Sequence, residues 1–399
     1  MSVKRKLIIG IDVAKDSSEV CILGFDFTIH KRLTVVHDSK ESMAHFLSVI
    51  HAKEKDFEAT ATVVLESTDH YHKILERALV KHEIDVVVIN PIQSDSIKNL
   101  SIRKVKNDRT DAFRIAMLYV FEQNRLKTVS PDDPSFMTLK MLIRSYDDLQ
   151  QEHTAHLQKL SAYVDQIYLN FDKDCLHLQS ITAQDFLTQF PLPIQVLRAR
   201  EDSVKKRLKK SSRRGDAWVQ EKYTVIIQKA KTMASLGNPN PIFATLIRSE
   251  IKLLKVLDEQ LKTLFNNMLL FLCENAKSEC PIMAQQVALL ESIPGIGKYS
   301  AIVIVAEYGD ISQFKNAKAL TAFAGLDPSV KESGKFKGTR NKISKRGSRL
   351  LRKALNMVAM RAVSRTRKNE YINPFCMSFM PPNASPSLKW SHLLLSLTN

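Results

Sequence analysis

Four carboxylates stand where chemistry could use them. Asp12 closes the apolar run "KLIIGID" and Glu66 closes "TVVLE", while Asp108 and Asp111 open the helix-periodic stretch within "VKNDRTDAFRIAM". A charge at the end of a buried strand is costly unless it is solvated, paired or bound to metal. Spaced three apart, Asp108 and Asp111 project from one face of a helix. In a sheet whose first and fourth strands are neighbours, all four could converge. Gathered at one point, they would raise one another's pKa unless a divalent cation neutralised them. Oxygen-only ligation suits Mg²⁺ or Mn²⁺. Two such ions can activate a nucleophile and stabilise the leaving oxygen in phosphodiester chemistry. The last pair has a plainer reading too: D-x-x-D before an apolar run is close to a capping box, with Asp108 as N-cap and Asp111 favouring the helix N-terminus. Alone, the pair reads as a cap. With Asp12 and Glu66 placed as they are, the balance moves to a metal site, and the readings coexist because a capping carboxylate keeps a second oxygen free.

Further along, "IPGIG" (Ile293 to Gly297) lies between two apolar helical segments and resembles the hairpin of a helix-hairpin-helix element. In such a hairpin Gly295 and Gly297 let the backbone approach a phosphate, which the N–H groups and the next helix N-terminus bind, with Lys298 adjacent. A plain helix–helix turn is the bland alternative. The segment "KESGKFKGTRNKISKRGSRLLRKAL" then carries Ser333 in a cation-rich loop and Ser344 in "ISKRG". A serine needs a base to attack phosphorus, and neighbouring cations can stabilise the phosphoryl oxygens. On these grounds alone, a loop serine is more often a turn residue or a phosphate contact than a nucleophile.

The elements that must position these groups are legible in outline. "KLIIGID", "EVCILGF" and "KRLTVVH" read as strands, "KESMAHFLSVIHAKE" as an amphipathic helix, and "ATATVVLES" as a buried strand. "YHKILERALVKH" follows as a helix and "IDVVVIN" as a strand stopped by Pro91. Three strands and then strand–helix alternation predict a mixed sheet with helices on its faces. Over 135–180, Leu142, Tyr146, Leu149, His153, Leu157, Leu160 and Val164 recur at helical spacing, which predicts a long helix. A second long helix over about 246–272 favours antiparallel pairing with it. Between them, "VKKRLKKSSRRGDAW" is either a solvated helix face or a phosphate-contacting surface. From Lys331 to Lys368 there are 14 Lys/Arg against one acid, Glu332.

The whole chain narrows the function classes. Its 399 residues allow two or three domains, and its composition does not favour disorder. A net charge of +17 points to a polyanionic partner, nucleic acid first. Five scattered cysteines without a C-x-x-C argue against a disulfide framework or a zinc ribbon. No apolar run reaches the length of a membrane span, and no cleavage signal follows the basic start. The expectation is a cytoplasmic protein with no membrane partner.

Taken in order, "GIDVAK", "VLEST", "KNDRTDA", "IPGIG", "AGLDP", "SG" and "ISKRGSRLLRKAL" resemble the transposases of insertion-sequence family one-hundred-and-ten, over roughly residues 5–375. The resemblance implies an α/β ribonuclease-H/RuvC-like DEDD domain (1–130) and a helical coiled-coil connection with the basic insertion (131–284). A mainly α transposase domain with the helix-hairpin-helix element and serine loop follows (285–375). It implies that Asp12, Glu66, Asp108 and Asp111 form the metal-binding tetrad for Mg²⁺ (or Mn²⁺). Ser333 becomes the residue that attacks DNA to form a covalent phosphoserine link, with Ser344 second. It implies DNA partners (element ends and target), a structured guide RNA, and a homo-oligomer, dimer or tetramer, joined through the long helices. Phosphate contacts fall to Lys104, Lys106, Arg109 and Arg114, to Gly295, Gly297 and Lys298, and to Lys335, Arg340, Lys345, Arg346 and Arg349. The rival readings are a hydrolytic RuvC-like junction nuclease using the tetrad alone and a degenerate DNA-binding copy. An actin-like ATPase, suggested by "IIGIDVAKDS", lacks the usual nucleotide-gripping glycines.

One departure stands out: after "YINPF" the chain reads "CMSFMPPNASPSLKWSHLLLSLTN", where the family usually continues into a further helix. With suitable codons, "SLKWSH" in an adjacent frame could encode Pro-Lys-Met-Val-Ala, a family-like ending. A frameshift near residue 375 is the expectation, leaving an atypical tail at 376–399 and a copy that transposes poorly. The gene's nucleotide sequence checks it.

Overall fold

A computed structural model describes residues 6–24, 26–67, 71–89, 108–122, 134–237, 239–278, 281–327, 332–333, 336–337 and 343–374, with backbone alone at 108, 109, 122, 134, 332, 333, 336 and 337. The chain divides into two compact units, Met1–Asp133 and Pro134–Asn399.

In the first unit, β1 (Lys6–Val13), β2 (Ser17–Leu23) and β3 (Ile29–Val36) form a meander. Helix α1 (Lys40–Phe57), β4 (Thr60–Glu66), α2 (His72–Lys81), β5 (Asp85–Ile89) and α3 (Asp108–Glu122) follow. The sheet order is β3-β2-β1-β4-β5, so the first and fourth strands are neighbours. β1 pairs antiparallel with β2 and parallel with β4, and β4 pairs parallel with β5. The expected mixed sheet is present. The near-continuous burial of β1 follows from cover on both faces. Leu7, Ile9, Ile11 and Val13 pack with Phe46 and Ile50 of α1 and Leu75 and Leu79 of α2. Ile8, Val64, Val87 and Ile89, from the opposite face, pack with Ala112, Ile115, Ala116 and Tyr119 of α3. Ser39 caps α1, its side chain accepting from the Ser42 amide at 3.0 Å.

The second unit is helical. α4 (Pro134–Asp165) is followed by α5 (Phe171–Asp174), α6 (Ile181–Gln189), α7 (Pro193–Arg198), α8 (Glu201–Ser212) and α9 (Asp216–Ser235). α10 (Ile242–Ala276) then returns along α4. Tyr146 meets Phe265 (ring centroids 6.4 Å), His153 meets Asp258 (3.1 Å), His156 meets Glu250 (2.7 Å) and Tyr163 meets Phe243 (6.2 Å). Rising numbers against falling ones make the pair antiparallel within one chain. The helix predicted over 135–180 ends at Asp165, because Ile167, Tyr168 and Phe171 turn into a core and Asn170 takes a left-handed conformation (φ 60°).

Each end of this pair closes its own core. At one end, Val164, Tyr168, Phe171 and Phe186 pack with Val204, Leu208, Ile226, Ile247 and Ile251. At the other, Leu139, Ile143, Met268 and Leu272 pack with α11 (Ile282–Glu291), α12 (Lys298–Tyr308) and α14 (Arg349–Ala362). Helix α13 (Ala317–Phe323) and a two-stranded hairpin, β6 (Glu332–Ser333) with β7 (Phe336–Lys337), lie between α12 and α14 in sequence. Glu307 on α12 is buried, its carboxylate accepting from Arg144 Nε at 3.1 Å and Nη2 at 3.3 Å, with Lys140 3.8 Å away. The expectation of a frameshifted tail falls on residues outside those described. Among the described residues, no helix is long and apolar enough to cross a membrane.

Candidate active site

In the first unit, strand alternation settles which face each carboxylate takes. Asp12 shares the parity of Ile8 and Gly10, and Glu66 that of Val64; this is the face covered by α3. Ile11 pairs with Leu65, so Asp12 and Glu66 are next in register at the C-terminal edge of two parallel strands. Glu66 pairs with Ile89 and is buried, whereas Asp12 is half-buried.

Helix α3 reaches this edge because Gly10 has no side chain. A Cβ there would stand 2.1 Å from the Ala112 carbonyl oxygen and 2.6 Å from the Ala116 amide nitrogen. The first turn of α3, with Asp111 next to Ala112, is thus anchored two residues short of Asp12. Asp111 is buried and accepts from Arg114 Nη1 at 2.8 Å. A buried carboxylate requires such compensation, and this is where the guanidinium read from the sequence as a phosphate contact goes. Asp108 and Arg109 belong to the same turn by backbone, and their side chains lie outside the described residues, as do Lys104 and Lys106 altogether. Among the described residues, no three metal-ligating side chains are gathered closely enough to hold an ion.

Sequence reasoning missed one acid here. Glu19 pairs directly opposite Asp12 across the β1–β2 ladder, on the same face, with the Thr34 hydroxyl donating to it at 2.6 Å. Like charges directly opposite are destabilising, so this edge concentrates negative charge. The strand alternation of "SSEVCIL" carried the signal.

In the second unit, residues 292–297 join α11 to α12. Gly295 takes φ +102° and faces Ala362, whose Cα would lie 3.0 Å from an added Cβ. Its lack of a side chain serves conformation and close packing. Gly297, the N-cap of α12, has open space around it, and Lys298 is exposed, 3.8 Å from Glu291. Asn373 fastens the turn, its Nδ2 donating to the Pro294 carbonyl at 3.2 Å.

Ser333 sits on β6 by backbone, paired with Phe336; its side chain, Lys335 and Arg340 lie outside the described residues. Ser344 is described in full, and its hydroxyl donates to the Asp327 carboxylate in a short hydrogen bond. The Ser344 amide donates to the Asp327 carbonyl at 2.8 Å and the Lys345 amide to that of Gly325 at 2.9 Å. Gly347 packs on Phe323, where a Cβ would stand 1.9 Å from its carbonyl oxygen, and Arg352 donates to the Ala324 carbonyl at 3.2 Å. These contacts clasp 324–327 against 344–347. The sequence motif "AGLDP" held the glycine and aspartate that make the clasp. Lys345, Arg346 and Arg349 are exposed beside it, and none carries an ion pair among the described residues.

Known proteins resemble this chain in both units. A family model of DEDD, IS110 type, described as Transposase, matches residues 9–169, a span containing Asp12, Glu66, Asp108 and Asp111. A second, described as Transposase IS116/IS110/IS902 family, matches residues 287–373, which include Ser333. The transposase for insertion sequence element IS1111A of Coxiella burnetii (strain RSA 493 / Nine Mile phase I) is 24% identical over 375 residues, covering 92% of this chain and 81% of that protein. A pilin gene-inverting protein of Moraxella bovis is 38% identical over 80 residues, 20% of this chain and 25% of that protein. Among solved structures, Thermus thermophilus RuvC superposes with a TM-score of 0.25 and 11% identity, over 31% of this chain and 99% of that one. With two IS110 models matched in succession, over 9–169 and 287–373, and a transposase aligned along 92% of this chain, the chain belongs to the IS110 family of transposases and is a DNA-recombining enzyme.

Proposed function

We propose that this transposase cuts and rejoins the DNA strands of an insertion sequence through a metal-supported carboxylate site and a covalent phosphoserine. The observation carrying the reading is the shared face of Asp12 and Glu66, at the sheet edge where the first turn of α3 brings Asp111. The residues fit a hard divalent cation: they are all oxygen donors, and acid stands against acid at Asp12 and Glu19. Asp12, Glu66, Asp108 and Asp111 would hold Mg²⁺ or Mn²⁺, whose positive charge would stabilise developing negative charge on phosphoryl and leaving oxygens. Arg114 competes for Asp111 and holds its carboxylate until that charge arrives.

Ser333 supplies the nucleophile. Its oxygen bonds to the phosphorus of one DNA strand, the bond from phosphorus to one ester oxygen breaks, and that oxygen leaves as a hydroxyl. The serine proton passes to a base. The ester energy stays in the phosphoserine, so attack by the hydroxyl of a second strand rejoins DNA without a nucleotide cofactor. The clasp holds the ends of the serine segment, and Lys345, Arg346 and Arg349 beside it meet backbone phosphate. Gly297 and Lys298 offer a helix N-terminus to another phosphate. In this reading the three parts (1–130, 131–284, 285–375) take the metal site, the connection between protomers of a dimer or tetramer, and the serine chemistry. A structured RNA pairs with donor and target DNA.

Strand cleavage of element-end DNA, with the flanking non-coding RNA and Mg²⁺ supplied, tests this. Glu66→Gln and Asp12→Asn should each lower cleavage by roughly a thousandfold, the scale of losing several kcal/mol of charge stabilisation. Chelation of the metal should do the same. Cleavage that survives chelation and both substitutions would overturn the metal site.

A further inference from the structure

We propose that α8 is a further DNA-binding surface, which anchors the phosphate backbone of duplex DNA. It rests on the chain being a DNA-recombining enzyme and not on the catalytic roles proposed above. From 198 to 214 the sequence has nine Lys/Arg against two acids, Glu201 and Asp202. The fold sorts these cations by task. Lys205 is spent on Glu201, Arg207 on Asp185 at 2.8 Å and Lys209 on Asp216 at 2.6 Å. Lys206, Lys210, Arg213 and Arg214 are exposed and have no ion pair among the described residues.

These cations form a stripe. Along α8, Lys206 and Lys210 are one turn, about 6 Å, apart, and Arg213 and Arg214 lie just beyond the last turn. That spacing lets long side chains reach successive phosphates of one strand. The stripe borders an open groove of about 440 Å³ between α6 and α8, where Lys206, Lys210 and Arg207, the last paired with Asp185, stand opposite Ile181 and Phe190. The helix dipole favours cations in the last turn, which accounts for Lys210 but not for Lys206. It accounts still less for Arg213, the C-cap of α8, at φ +56°. Glycine is the usual residue for that left-handed position, and the chain places a cation there and keeps Gly215 for later.

The partner is a duplex. Single-strand surfaces offer exposed rings for bases to stack on, whereas at this end Tyr168, Phe171, Phe186 and Phe190 are buried in the core and Trp218 and Tyr223 are half-buried. Cations without stacking platforms read charge and leave sequence unread.

The test is binding of full-length protein to a random-sequence DNA duplex, by fluorescence anisotropy over a range of salt. The variant Lys206→Gln/Lys210→Gln/Arg213→Gln/Arg214→Gln removes exposed charge that has no ion pair among the described residues. Its log–log salt slope should be shallower by about 2 to 3, and affinity near 0.1 M salt should fall on the order of a hundredfold. Arg213→Gly, which relieves the left-handed strain, should keep the melting temperature while the slope loses about 0.9. Binding is read in EDTA and without the flanking RNA, so that the outcome does not depend on the proposed metal and serine chemistry, which separates this inference from it. An unchanged slope would overturn the proposal. So would an equal loss in a control with Lys252, Lys255 and Lys262 of α10 neutralised, or a loss confined to an RNA duplex.

Discussion

In the metal site proposed above, Asp12, Glu66 and Asp111, with Glu19 beside them, would burden the fold before any ion bound. Asp12 and Glu19 oppose each other across a ladder, Glu66 and Asp111 are buried, and Asp111 accepts from Arg114. Glu19→Gln should therefore stabilise the metal-free protein by about 0.2–1 kcal/mol, the scale of a cross-strand pair. It should also reduce the rise in melting temperature that Mg²⁺ produces. Thermal melts with and without Mg²⁺ check both signs; a rise undiminished by Glu19→Gln would remove this acid from the site. Ser344 marks the other residue-scale distinction. Its hydroxyl is committed to Asp327, so Ser344→Ala should cost about 1.5–3 kcal/mol, as for a hydrogen bond to a charged group. Its cleavage chemistry should survive. A variant that melts normally but makes no DNA adduct would make Ser344 the nucleophile instead.

At the scale of elements, the site depends on how closely α3 approaches β1. Gly10→Ala should cost about 1–3 kcal/mol by overpacking, and it should depress cleavage beyond what instability explains, because the added methyl pushes Asp111 away from Asp12. Normal cleavage by a folded Gly10→Ala protein would uncouple the helix from the site. Part of this element was legible in the sequence: apolar runs marked the strands, and acids at the ends of two of them marked the candidate site, whereas the neighbouring of β1 and β4 and the face the acids share come from the sheet itself. Gly10 was unremarkable there because the backbone it admits lies a hundred residues downstream. Asp327 and Ser344 escaped for a related reason, since the clasp exists only once α13 and α14 have folded beside it.

Across the whole molecule, a charge of +17 announced nucleic acid from composition alone, and the structure shows how part of that charge is distributed. Some cations are internal struts, as Arg144 is to the buried Glu307; others, like Lys206 and Lys345, face solvent with no ion pair among the described residues. Sequence patterning marked both long helices but not the small core closed by α5 to α9, whose short helices owe their stability to packing on α4 and α10 more than to periodicity. The proposed chemistry turns on a covalent bond between protein and DNA. The most direct measurement is mass spectrometry of the denaturation-resistant adduct formed from protein, element-end DNA, flanking RNA and Mg²⁺, after protease and nuclease digestion. A nucleotide phosphate is expected on Ser333, absent in Ser333→Ala and Asp108→Ala. Cleaved DNA ends with no adduct would contradict it and leave a hydrolytic nuclease.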